Sequence, residues 1–104
     1  MTTWTTVALC GPSGAGKSTV GPLVARSLGW RHADVDALIE SETQSTIPKL
    51  FETHGEPFFR ELERRIALQL AASDQTVVGL GGGSLVDDDV FDAFSHPSVA
   101  LVYL

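Results

Sequence analysis

Gly11-Pro12-Ser13-Gly14-Ala15-Gly16-Lys17-Ser18 carries the spacing Gly-x4-Gly-Lys-Ser, which suits a loop that wraps a phosphate chain. Glycines accept backbone dihedrals that a Cβ forbids, so the chain can close around an anion. Successive N–H groups then point inward as a nest, and a following helix adds its unpaired N-terminal donors and positive dipole end. In such a loop Lys17 reaches the β- and γ-phosphates and the Ser18 hydroxyl holds Mg²⁺. A glycine-rich turn that binds nothing is the bland alternative, and context weighs against it. Thr5–Cys10 reads as a strand running into the loop, and Val20, Leu23, Val24 and Leu28 follow at i, i+3, i+4, i+8, one face of a helix. Strand, loop and helix form the required setting.

Three further groups could do chemistry. Asp34-Val35-Asp36 sets two carboxylates two residues apart. On an extended segment both point the same way, so one could face Mg²⁺ and the other accept a proton from a hydroxyl being phosphorylated. The spacing equally suits an Asp N-cap before a helix at Ala37, and spacing alone leaves both open. Arg60 could grip a carboxylate through its planar fork, but Glu56 four residues earlier offers an ordinary helical ion pair. Gly81-Gly82-Gly83 permits close backbone approach to a small ligand, or is simply a turn.

The elements that must position these groups follow along the chain. Gly29 reads as a helix stop, and 30–33 as a brief strand ending at Asp34. Pro22 falls inside the first helix, where a kink or a cost of up to ~3 kcal/mol is expected. Helices are expected to start at Ala37 and to span Ile47–His54. A longer one begins near Pro57, with Phe59, Leu62, Ile66 and Leu70 as its apolar stripe and Arg60, Glu61, Glu63 and Arg64 off it. Thr76–Leu80 reads as a strand, 87–94 as a short acidic helix, and Val99–Leu104 as an apolar strand buried on both faces. Alternating strands and helices predict an α/β fold, a parallel sheet with helices on both faces. Ligands there sit beyond the carboxyl ends of the strands, the edge where the loop, the aspartates and the glycine run all fall.

Composition bounds the rest. The chain of 104 residues is 43% hydrophobic with net charge −6, a globular composition for at most one domain. No basic stripe exists to neutralise a nucleic-acid backbone, whereas ATP is held locally by N–H groups, Lys17 and Mg²⁺. Cys10 is the one cysteine, so it forms no internal disulfide and reads as a small buried side chain. His32, His54 and His96 lack ligand spacing. No leader-like segment opens the sequence and no apolar run spans a bilayer, which points to the cytoplasm.

Taken together, GPSGAGKST, the DVD of Asp34 and Asp36 followed by ALIE, IPKLFETHGEPFFRELE, and the triplet in VVGLGGGSLV resemble the shikimate kinase family, in order and spacing, over essentially the whole chain. The resemblance implies a three-layer α/β/α P-loop domain and ATP-dependent phosphorylation of the 3-hydroxyl of shikimate, by a monomer with ATP, shikimate and Mg²⁺ as its ligands. It implies that Gly14, Ala15, Gly16, Lys17, Ser18 and Thr19 hold ATP, with Lys17 catalytic. Ser18 and Asp34 would serve Mg²⁺. Asp36 would meet the shikimate hydroxyls as base, Arg60 the shikimate carboxylate, and Gly81, Gly82 and Gly83 would line the pocket. The family continues past the strand matching Val99–Leu104 into an arginine-bearing lid and an adenine-contacting segment, so residues 1–104 read as a single partial domain, truncated at the C-terminus. A gluconate kinase-like enzyme and a non-catalytic nucleotide-binding module are the rival readings.

Overall fold

The computed structural model describes residues 4–12 and 16–104. Four parallel strands run in the order β2-β3-β1-β4: β1 (Thr6–Cys10), β2 (Arg31–Asp34), β3 (Thr76–Gly79) and β4 (Val99–Tyr103). Between them lie α1 (Lys17–Leu28), α2 (Val35–Thr43), α3 (Ile47–His54), α4 (Glu56–Ala71) and α5 (Asp88–Phe94). The central strands β1 and β3 alternate their side chains between two apolar layers. Leu9 and Val77 pack with Ala25 of α1 on one face. Ala8, Cys10 and Val78 pack on the other against Ile39, Leu50, Phe59, Ile66, Val90 and Phe94 from α2 to α5. Each large apolar side chain so buried stabilises the fold by about 1.5–3 kcal/mol. The result is a three-layer α/β/α parallel sheet.

The helices start where local chemistry allows. Gly16, at φ 99°, caps α1, and Gly29, at φ 69°, ends it with its N–H on the carbonyls of Ala25 and Arg26. Asp34 Oδ1 accepts from Ala37 N at 3.0 Å and starts α2. The Thr46 hydroxyl accepts from Lys49 N and starts α3. Asp87 Oδ1 accepts from Asp89 N and Val90 N and starts α5.

Several expectations change. The buried side of α1 is Gly21 and Ala25, flanked by Val20 and Val24, while Leu23 is 60% and Leu28 46% exposed. The helix meets the sheet through small residues, which let it lie close. Gly21 shows how close: a β-carbon there would sit 2.5 Å from His32 Nε2. Pro22 does not end α1; it lies on the exposed side, where water can take the Ser18 carbonyl that a proline cannot pair. Finally, among the described residues β4 pairs with β1 alone and is only partly covered, not buried on both faces: Tyr103 is 67% exposed. Helix α1 lies over β3 and β2, and among the described residues no other helix covers that face beside β4.

Candidate active site

The carboxyl ends of β1, β2 and β3 meet at one edge of the sheet, in register: Leu9 pairs with Gly79, and Gly79 with Asp34. Two cavities open there. One, of about 350 Å³, is lined by Gly16, Lys17, Ser18, Thr19, Asp34, Asp36 and Gly82. The other, of about 310 Å³, includes Arg60, Glu63, Gly83 and Ser84 among its lining. The glycine run is the ridge between them, Gly82 facing the first and Gly83 the second. Gly14 and Ala15 fall outside the described residues.

In the first cavity Lys17 opens α1, and its ammonium donates to the Gly11 carbonyl at 2.5 Å, tying the helix start back to the entry of the loop. Ser18 and Thr19 follow in the first turn, where donors and dipole face an anion. Asp34 is the last residue of β2, and Asp36 lies in the first turn of α2 rather than on an extended segment. The strand ends two residues before Asp36, which the same-side argument requires to be extended, because Asp34 itself caps the helix. Both carboxylates still line the same cavity. With Oδ1 committed to the cap, Asp34 Oδ2 lies against Gly79, where a β-carbon would approach it to 2.7 Å. A hydroxyl from Ser18 and a carboxylate from Asp34 are hard oxygen donors, a set that suits Mg²⁺.

Asp36 is electrostatically loaded. Burial raises its pKa above the usual Asp value, and the Asp34 and Glu63 carboxylates raise it further, against the opposing pull of Lys17. Its Oδ1 is buried with no hydrogen-bond partner among the described residues. A carboxylate held this way is a stronger base than a solvated one. Nearby Cys10 is buried, its thiol pushed up by desolvation.

In the second cavity Arg60 bonds Glu63 Oε1 through Nη1 at 2.8 Å, and its Nε lies 3.5 Å from Glu56 Oε1. The Glu56 pair expected from spacing is thus present but is the longer of the two. The Glu63 hydrogen bond keeps the guanidinium firmly charged. The Arg60 guanidinium also lies over the Phe59 ring at 5.3 Å, and Phe59 packs on Phe51 at 4.8 Å. Gly83 fits beneath Arg60: a β-carbon there would come within 2.5 Å of Nη1.

Sequence reasoning passed over Glu63, Ser84 and Gly79. Glu63 was expected off the apolar stripe, yet it is 4% exposed. Its place three residues after Arg60 was the available signal. Ser84 and Gly79 carried none, since their roles arise from neighbours distant in sequence.

A parallel α/β sheet with a Gly-x4-Gly-Lys-Ser loop between β1 and α1 defines the P-loop class of nucleotide-binding proteins. A sequence model of the shikimate kinase family matches residues 13–104. The chain belongs to that family. It is 45% identical over 96 residues to the shikimate kinase of Chloroherpeton thalassium, covering 92% of this chain and 51% of that protein. It is 48% identical over 79 residues to the shikimate kinase of Synechococcus sp., covering 76% and 40%. Among solved structures, shikimate kinase from Acinetobacter baumannii in complex with shikimate superposes with TM-score 0.91 at 36% identity, over 98% of this chain and 56% of that one. The chain spans about half the length of the curated relatives it matches. A gluconokinase from Sinorhizobium meliloti superposes with TM-score 0.59 at 20% identity, a likeness of fold alone.

Proposed function

We propose that this chain provides the phosphoryl-transfer and acid-binding centre of a shikimate kinase, which moves the γ-phosphoryl group of ATP to the 3-hydroxyl of shikimate. The observation that carries this reading is the pairing of two cavities across one glycine ridge, with Lys17, Ser18, Asp34 and Asp36 on one side and Arg60 on the other. Phosphates bind at the start of α1, where Gly16, Ser18, Thr19 and the rest of the loop offer N–H donors and Lys17 offers its ammonium. Ser18 and Asp34 would hold Mg²⁺, which when bound would neutralise charge on the phosphates. Arg60, oriented by Glu63, takes the shikimate carboxylate through its fork. Gly81, Gly82 and Gly83 let the ring lie close to the backbone. Asp36 accepts the proton of the 3-hydroxyl as its oxygen bonds to phosphorus, and ADP leaves.

Similarity to a structure holding shikimate supports the substrate, and the family supports ATP with a divalent metal. No described helix is long and apolar enough to cross a membrane.

The test is a coupled assay of ADP release with shikimate and gluconate offered separately. Release stimulated by shikimate is expected; release stimulated by gluconate alone overturns the substrate. Calorimetry with ATP on the same preparation separates an enzyme from a module that binds nucleotide without turnover.

A further inference from the structure

Ser84 opens the 3-10 turn Ser84–Val86 that follows the glycine run. It is 1% exposed, yet its hydroxyl has no hydrogen-bond partner among the described residues. Asp36 Oδ1 is also buried without one. Both atoms face the same spot. A β-carbon on Gly81 would lie 2.7 Å from Glu63 Oε2, 3.0 Å from Asp36 Oδ1 and 3.3 Å from Ser84 Oγ. Three oxygens, from α4, α2 and the turn after β3, therefore converge over one bare α-carbon.

Their chemistry specifies what fits between them. Ionised carboxylate oxygens only accept hydrogen bonds, whereas the serine hydroxyl can donate one. Glu63 has already given Oε1 to Arg60, so Oε2 is the oxygen turned to this spot. The complement is a small group with two O–H donors and one lone pair to offer, and a water molecule has that inventory. Buried waters in proteins make about three such bonds.

We propose that an ordered water is bound over Gly81 by Asp36, Glu63 and Ser84, and that Ser84 is a positioning residue acting through it. The water links the carboxylate of Asp36 to the Glu63–Arg60 arm and fixes its orientation. Glycine is needed at 81 because a β-carbon there would press on Glu63 Oε2 and Asp36 Oδ1 and push apart the oxygens that hold the water.

Two experiments test this. The first is a crystal structure of the chain at high resolution, with and without shikimate. A solvent oxygen at roughly 2.6–3.2 Å from all three atoms in both crystals is expected. A metal ion there, a direct bond from Ser84 to either carboxylate, or a substrate hydroxyl occupying the spot only in the complex overturns the proposal. The second rests on the kinase reading. Ser84→Ala is expected to lower kcat about three- to tenfold with KM for ATP unchanged. Gly81→Ala lowers kcat too, and the double variant is no slower than the slower single one, because both act through one bound water. An unchanged kcat in Ser84→Ala, or losses that multiply, overturns the positioning role. A protein that turns over no shikimate sinks the kinase reading instead and leaves the crystallographic test to decide.

Discussion

Glu63 Oε1 lies 2.8 Å from Arg60 Nη1, joining a carboxylate with 5% of its side chain exposed to a guanidinium with 45% exposed. The buried partner is the fixed one, so Glu63 aims Arg60 into the cavity it shares with Gly83. Glu63→Ala is expected to raise KM for shikimate about tenfold while KM for ATP stays near its original value. Because Arg60 is half solvated, the stability loss is about 1–3 kcal/mol, short of that for a fully buried pair. Steady-state kinetics and thermal melts measure the two effects.

Arg60 itself tests the carboxylate grip. Arg60→Ala loses charge and fork together, and KM for shikimate is expected to rise about a hundredfold or more. Arg60→Lys keeps the charge and recovers only part of the loss. Gly83→Ala puts a β-carbon 2.5 Å from Nη1; the displaced guanidinium is expected to raise the same KM about tenfold.

Asp36 gives a pH signature. Its pKa is raised, first by burial and then by Asp34 and Glu63, so the acid limb of the rate profile is expected above the ordinary Asp range. Folding prefers the protonated form. That contribution is fully present below the unfolded Asp value of ~3.9 and is lost as pH rises through the folded pKa. At neutral pH the ionised Asp36 therefore costs stability. Asp36→Asn is expected to slow turnover about 10²–10⁴-fold and to melt higher at neutral pH, with the difference closing in acid. Melting curves across pH, beside single-turnover rates, check both.

Lys17 lines the first cavity and not the second. Its ammonium lies 2.5 Å from the Gly11 carbonyl, beside the start of α1 where the proposed function puts the phosphates. Lys17→Met is expected to weaken binding of a non-hydrolysable ATP analogue about a hundredfold, the scale of two charge-assisted hydrogen bonds. Shikimate binding, titrated separately by calorimetry, is expected to stay within about twofold because Lys17 does not line the Arg60 cavity.

Much of this architecture is legible in the residues, because local rules act over a few positions. The α3 span Ile47–His54, the placing of Pro57 in the first turn of α4, the stop at Gly29 and the parallel α/β order follow from caps, proline and periodicity. The Gly-x4-Gly-Lys-Ser spacing is local too, so Lys17 and Ser18 stand out without coordinates. Spacing could not choose between a cap and a metal ligand at Asp34. The fold shows Oδ1 capping α2, Oδ2 lying against Gly79, and Asp34 in the lining of the first cavity.

Tertiary structure alone decided the rest. Glu63 became a buried partner of Arg60, and Ser84 a neighbour of Asp36 across Gly81. Each depends on how far apart packed elements come to rest. That distance is set by side-chain volume summed over the core, and no short window of sequence contains it.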